Sequence, residues 1–258
     1  MEQKQRREYL IKRLLSEDPR YSGVRLPDGE DERKDLLRSL MNVRMPAPLD
    51  AEYLRVEGEY LREETRKKGV TKLSDLDFSN EGICVWQGDI TTLERGAIVN
   101  AANSQLLGCF VPLHKCIDNC IHSAAGLMLR NRCDEIMKKQ GHEEPAGTAK
   151  ITPAYNLPCG HVIHTVGPVV TGRLTKRHEE LLASCYTSCL KIAEENGIKS
   201  IAFCCISTGV FMFPNQRAAE IAVATVKDYL KEHDGIEKVV FNVFKDIDLE
   251  IYDRLLNR

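Results

Sequence analysis

From about residue 71 onward, short runs of β-branched and apolar residues alternate with longer amphipathic segments, and this alternation constrains the fold more than any other property of the chain. Residues 83–86, 96–99, 149–152, 161–165, 198–205 and 238–243 read as strands. Helical spacing of apolar positions marks 115–140, 177–196 and 216–231, and a short helix at 248–257 closes the chain. Strands separated by helices pair in parallel through crossovers, so the pattern predicts an α/β domain whose largely parallel central sheet is covered by helices on both faces. Ligands of such sheets bind beyond the carboxyl ends of the strands.

The first seventy residues have a different texture. They are dense in charge and read as helices at 3–16, 29–41 and 51–68, with narrow apolar stripes at Leu10, Leu14 and Leu15, then Leu36, Leu37 and Leu40. Asp31 or Asp50 suits a helix start, and MPAPLD suits a connector because proline disfavours helix at the residue before it. Residues 1–70 are therefore expected to form a helical extension packed on a main domain at 71–258. The 258 residues suffice for one sizeable core plus such an appendage. A charged N-terminal stretch and the absence of any long apolar run predict a cytoplasmic protein with no membrane contact. In that reducing setting the ten cysteines argue for thiols or metal ligands and against a disulfide framework. A net charge of −2 gives no bulk attraction for nucleic acid.

The segment 107–126, LGCFVPLHKCIDNCIHSAAG, places Cys109, His114 and Cys116 within eight residues. Thiolate and imidazole donors at such spacing can close on one zinc ion, and three protein donors leave a fourth position for water or substrate. Cys120 and His122 lie nearby as competing donors. Ile117, Ile121, Ala124 and Met128 follow helical spacing and mark a buried face, which assigns Cys120 to helix packing. The alternative is that these are ordinary buried thiols with no shared purpose.

Three motifs fall at strand exits. In Gly88-Asp89-Ile90-Thr91 the carboxylate can accept from an exocyclic amine such as that of adenine, or cap a turn. In Val99-Asn100-Ala101-Ala102-Asn103 one amide can brace the loop while the other meets a sugar hydroxyl, or both can serve a structural turn. In Ile206-Ser207-Thr208-Gly209-Val210-Phe211-Met212-Phe213-Pro214 a buried strand opens into a loop before a helix; its backbone N–H groups can surround a phosphate, with Phe211 and Phe213 walling a sugar. A plain strand-to-helix connection fits the same residues.

Taken in order, GDIT, VNAAN, a segment with DN-x-IH-x-x-AG, and ISTGV before a helix containing AA-x-IA resemble the macrodomain family of ADP-ribose binders and hydrolases. The resemblance covers roughly residues 71–258. The Cys109–Cys116 segment and the helical extension are similar to a zinc-containing microbial subgroup associated with sirtuin-like ADP-ribosyltransferases. The resemblance implies a three-layer α/β/α fold with a mixed, largely parallel sheet. It implies that Asp89 holds the adenine amine, that Ile90 lends a backbone contact, and that Asn103 faces the distal ribose. It places Asp118 as the acidic catalytic residue, Ser207, Thr208, Gly209 and Val210 around the diphosphate, and Phe213 beside the distal ribose, with Phe211 and Met212 also among the substrate-binding positions. One zinc ion on Cys109, His114 and Cys116 is implied. Two departures stand out: CFVPLHKC replaces a glycine-rich first loop, and Met212 stands where macrodomains commonly have glycine.

The implied reaction is zinc-dependent removal of mono-ADP-ribose from acidic side chains of a modified protein, with a lipoyl-carrier protein as a candidate substrate and a sirtuin-like transferase as a functional link. The ester's carboxylate departs readily, so the demand falls on holding the ribose, stabilising oxocarbenium charge and placing water, with Asn103 and Asp118 as the catalytic residues. A non-catalytic ADP-ribose reader and an O-acetyl-ADP-ribose deacetylase are the alternatives.

Overall fold

A computed structural model describes residues 1–257. The sheet is built from β1 (Ile83–Gln87), β2 (Ala97–Ala102), β3 (Ala149–Pro153), β4 (His161–Val166), β5 (Ser200–Phe203) and β6 (Lys238–Val243). They lie in the order β1-β6-β5-β2-β4-β3, with every neighbouring pair parallel except β3 and β4. The exits of β1, β2, β4, β5 and β6 therefore share one edge. The chain order reverses around β2, which puts a crevice at that edge.

The helices are α1 (Gln3–Ser16), α2 (Glu30–Val43), α3 (Ala51–Lys68), α4 (Ile117–Ala125), α5 (Leu127–Gln140), α6 (Lys176–Glu195), α7 (Asn215–Glu232) and α8 (Asp246–Leu256). One layer is formed by α6, α7 and α8, packed side by side and reaching β3, β4, β6 and β1. A second layer holds α4 against β2 and α5 against β3. The fold is thus the three-layer α/β arrangement with a mixed sheet. Its core is rich in β-branched strand residues such as Ile98, Val99, Ile163, Val239 and Val240.

The helices α1–α3 bury an apolar cluster of their own, including Leu10, Leu14, Leu37, Leu40, Tyr53 and Val56, which Leu127 of α5 joins. Leu15 and Leu36 sit only half-buried at its margin. Asp50 caps α3 by accepting from Tyr53 N–H at 2.8 Å, while Asp31 lies in the first turn of α2 behind Gly29. Among the described residues no helix is long and apolar enough to cross a membrane.

Three boundaries differ from the sequence expectations, each for a local reason. The helix expected over 115–140 is two helices broken at Gly126, where φ is +92° and a Cβ would meet Glu57 Oε2 at 2.6 Å. Only glycine fits there. Strand β2 continues through Ala102, so Asn100 lies inside the sheet and not in a loop. The run 198–205 forms a strand only over Ser200–Phe203, because Cys204 and Cys205 already belong to the turn into the next loop.

Candidate active site

The break at Gly126 ends α4 after nine residues, and this short helix presents a polar face inward: Asp118, Asn119 and His122 are buried beside Ile121 and Ala125. Ile117, Ala124 and Met128, expected on the buried face, are only half-buried. The apolar periodicity misleads because α4 faces a polar site, and Met128 belongs to the next helix.

Asp118 is the centre of that site. Its Oδ1 accepts from Asn100 Nδ2 at 2.8 Å, and Asn103 Nδ2 lies 3.4 Å from Oδ2. The two amides of VNAAN thus converge on one carboxylate from the end of β2. Burial pushes the Asp118 pKa up to about 6, against the lowering pull of Asn100 and Arg130. Asn100 also donates to His164 Nδ1 at 3.2 Å, which places the His164 proton on Nε2, 3.0 Å from Thr152 Oγ1. His122 follows Asp118 by one helical turn, with Nε2 3.5 Å from Oδ1. Burial lowers both imidazoles, His164 to about 4, so both are neutral at pH 7. Gly108 closes over the His122 ring, where a Cβ would approach Cγ to 2.8 Å.

Asn103 is half-buried and occupied within its own loop: Nδ2 also donates to Gly108 C=O at 3.1 Å, and Oδ1 accepts from Gln105 N–H at 3.0 Å. It is placed to fix the Asp118 carboxylate and the loop together.

Beside this cluster, Cys109, His114 and Cys116 bring their donor atoms within 4.8 Å of one another. The separation of Cys109 Sγ from His114 Nδ1 is 3.6 Å. A tetrahedral zinc with ordinary Zn–S and Zn–N bonds sets a sulfur and a nitrogen about 3.6 Å apart, so the donor chemistry and spacing both fit that metal. Cys116 is also the N-cap of α4, its Sγ accepting from Asn119 N–H at 3.4 Å. Burial pushes its thiol up, so an adjacent cation is what would hold it as thiolate. Cys120 stays outside the trio, half-buried, with Arg38 Nη2 at 3.7 Å.

At the exit of β1, Asp89 caps a one-turn 3-10 helix, Oδ1 accepting from Thr91 N–H at 3.0 Å and from Thr91 Oγ1 at 2.6 Å. Oδ2 pairs with Lys68 Nζ at 3.0 Å on a half-exposed side chain. Burial raises its pKa, but Thr91 and Lys68 outweigh that and leave it below the usual carboxylate value. The turn-cap reading of GDIT is thus met by Oδ1, while Oδ2 lies at the surface in the pair with Lys68. Ile90 has a buried side chain, and its C=O accepts from Leu93 N–H at 3.3 Å.

The loop after β5 folds on its own backbone, with Phe213 N–H bonded to Ser207 C=O at 3.0 Å and Met212 N–H to Gly209 C=O at 3.1 Å. Ser207 is buried at φ +64°, and Thr208 Oγ1 donates to Cys205 C=O. Gly209 and Val210 are exposed. Met212 projects outward at φ +58°. Phe213 does not wall the cleft: it is 1% exposed and packed in the main core. It follows the positive-φ turn at Met212 and is tied by its N–H to Ser207, and Phe211, half-buried, is the aromatic left at the surface of this loop.

Sequence reasoning missed His164, Thr152 and Phe244. Phe244 is 82% exposed directly after β6, and its carbonyl accepts from Gln87 Nε2, so it stands at the strand exit adjacent to that of Asp89. An exposed aromatic at the end of the apolar run VVFNV was the available signal.

The Macro domain family model matches residues 99–222. A protein-ADP-ribose hydrolase of Treponema medium is 58% identical over 261 residues, spanning 100% of both chains. A protein of the same name from Staphylococcus aureus is 49% identical over 257 residues, covering 99% of this chain and 96% of its own. Among solved structures, a mutant Oceanobacillus iheyensis macrodomain with ADPR superimposes with a TM-score of 0.64 at 37% identity, covering 70% of this chain and 96% of that one. With near-complete coverage of such relatives and with its strand-exit motifs gathered at one crevice, this chain belongs to the Macro domain family.

Proposed function

We propose that this protein removes single ADP-ribosyl groups from acidic side chains of a modified protein, with one zinc ion held by Cys109, His114 and Cys116. The observation that carries the reading is the buried Asp118 carboxylate, pinned by Asn100 and Asn103, on the helix whose N-cap is the donor Cys116. The names of the Treponema and Staphylococcus relatives support it.

The purine of the ligand stacks on Phe244 with its amine directed to Asp89 Oδ2, and the loop from Ser207 to Met212 wraps the diphosphate with backbone N–H groups. The distal ribose then reaches the exit of β2, where Asn103 and Asp118 meet it. The anomeric C–O bond to the protein carboxylate breaks with oxocarbenium character, and the carboxylate leaves without strong acid assistance. Asp118 orients the attacking water, and its two amide partners keep the carboxylate from rotating away. Zinc held by Cys109, His114 and Cys116 would supply Lewis acidity at this rim.

The test is release of ADP-ribose from a glutamate-modified protein by Cys116→Ala and Asp118→Ala, with folding checked by circular dichroism and metal content by elemental analysis. Asp118→Ala is expected to lose at least about a hundredfold in turnover while still binding ADP-ribose. Cys116→Ala is expected to lose both stoichiometric zinc and turnover. Undiminished turnover in Cys116→Ala removes the metal from the mechanism, and a parent protein that binds ADP-ribose without cleaving the modified substrate is a reader.

A further inference from the structure

Arg38 and Asn42 lie one turn apart on α2, in the helical extension, and both reach across to the loop that carries the three metal donors. Asn42 Oδ1 accepts from Leu113 N–H at 3.0 Å, and Arg38 Nη2 donates to His114 C=O at 3.0 Å. The Pro112–Leu113 and His114–Lys115 peptide units, one on each side of the Leu113–His114 pair, are thus held by a helix more than seventy residues away in sequence. Arg38 Nη2 also donates to Asn119 Oδ1 at 2.8 Å, and Asn119 Nδ2 holds Cys109 C=O and Val111 C=O at 3.2 and 3.0 Å. Asn42 Nδ2 donates to Ser123 Oγ at 2.9 Å, which in turn approaches Asn119 Oδ1 at 3.3 Å. The network is closed, and Asn42 is 1% exposed within it.

The backbone here needs such a hold. Leu113 has φ +57°, a conformation disfavoured for leucine that persists only where neighbours over-determine it. Leu113 is the residue before the imidazole donor, so relaxing its φ would swing His114 away from Cys109 and Cys116. From Cys109 to Cys116 the loop has no regular structure and one internal backbone bond, His114 N–H to Val111 C=O at 3.2 Å, so anchors from the surrounding helices are what keep three donor atoms near one point, and those on the Leu113–His114 pair come from α2.

We infer that Arg38 and Asn42 are positioning residues that preform the metal-binding loop, so that the N-terminal extension is a structural component of the metal centre. The inference rests on the zinc reading of Cys109, His114 and Cys116. It assigns α2 a task that no motif in its own sequence signals, and it predicts that metal affinity depends on residues that touch neither metal nor substrate.

The test is zinc affinity by competition with a chromophoric chelator, together with the visible spectrum of the cobalt-substituted protein, for the parent, Arg38→Met, Asn42→Leu and Asn42→Asp. Each of the first two should weaken zinc binding about tenfold or more, the range seen when partners that orient metal ligands are removed. Their cobalt bands should lose tetrahedral intensity. Asn42→Asp keeps the acceptor for Leu113 N–H, and Ser123 can turn to donate to it, so it should restore most of the affinity. Unchanged affinity and spectrum in Arg38→Met and Asn42→Leu overturn the inference, as does equal weakening in Asn42→Asp and Asn42→Leu. A parent protein that holds no stoichiometric zinc overturns the metal reading itself. In that event faster hydrogen exchange over 107–116 in the two variants still decides whether α2 holds the loop.

Discussion

Two loops leave neighbouring strands at the same edge of the sheet and are held in opposite ways. The loop after β2 is fastened from outside: Arg38 and Asn42 grip it from α2, Asn119 from α4 and Arg130 from α5. The loop after β5 is fastened chiefly by its own backbone, with Ser207, Gly209, Met212 and Phe213 bonded among themselves. Its exposed residues Val210 and Met212 are 71% and 70% accessible. On the function proposed above, the difference follows from what each has to present. Donor side chains for a metal must be held to a few tenths of an ångström, whereas backbone amides that wrap a flexible diphosphate benefit from the freedom to close on it. On that reading one loop is built beforehand, and the other is left to respond.

The largest effect that can break this contrast is expected at Arg130. Its guanidinium donates to Leu107 C=O at 2.7 Å on the first loop and to Met41 and Arg44 C=O at 2.9 and 2.6 Å at the end of α2, and it lies 4.4 Å over the Phe110 ring. Burial lowers its pKa to about 10, so it remains charged at neutral pH. Arg130→Met fills the space but strands three carbonyls, and should cost about 3 kcal/mol in urea unfolding while hydrogen exchange accelerates over 107–116. Thr208→Val in the second loop removes one hydrogen bond and should cost about 1 kcal/mol at most. Equal losses at the two positions would show that the loops are not held differently.

A smaller, pH-dependent effect is expected at Glu57, where the extension meets the α4–α5 break. Glu57 is buried on α3, and its Oε1 accepts from Leu127 N–H at 3.1 Å, capping α5. Burial raises its pKa from 4.5 to about 7, against the lowering influence of Leu127 N–H, Arg44 and Tyr53. A carboxyl raised in the folded state binds more protons there than in the unfolded chain. Its contribution is therefore intact below about pH 4.5 and is lost as pH rises through about 7. The urea midpoint of the parent should fall between pH 5 and pH 8 more steeply than that of Glu57→Gln, which keeps the acceptor and cannot titrate. Parallel pH profiles would mean that Glu57 is ionised in both states.

The sheet was legible because parallel strands buried on both faces read as apolar runs with amphipathic segments between them, as in 161–165 and 238–243. The helices of the extension were legible from stripes such as Leu10 and Leu14. The site was legible wherever one short segment carried it: the Cys109–Cys116 trio is a local spacing, and Asn100, Asn103 and Asp118 lie within nineteen residues. What escaped was long-range. Nothing in EDERKDLLRSLMNV distinguishes Arg38 and Asn42 from ordinary solvated positions, because their partners are more than seventy residues away. His164 reads as one polar residue in a strand until Asn100 and Thr152 close on it. The misplacement of Phe213 has the opposite origin, a flexible-looking loop whose turns direct that ring inward.

The smallest effect concerns Met212, and it separates strain from bulk in the responsive loop. At φ +58° a methionine is disfavoured by about 1 kcal/mol, while glycine at the same place carries a comparable entropic cost from the unfolded chain. Met212→Gly should therefore leave stability within about 0.5 kcal/mol of the parent. The side chain is largely solvated, so little packing is lost. Titration calorimetry with ADP-ribose should show tighter binding, by a few-fold, if the loop closes on its ligand. Met212→Ala is the discriminating variant, since it removes the bulk and keeps the backbone penalty. If alanine binds like glycine, the long side chain was obstructing the diphosphate; if alanine binds like methionine, the backbone conformation was the limit. If both bind more weakly than the parent, Met212 itself contacts the nucleotide, and the loop after β5 holds a fixed shape no less than the loop after β2 does.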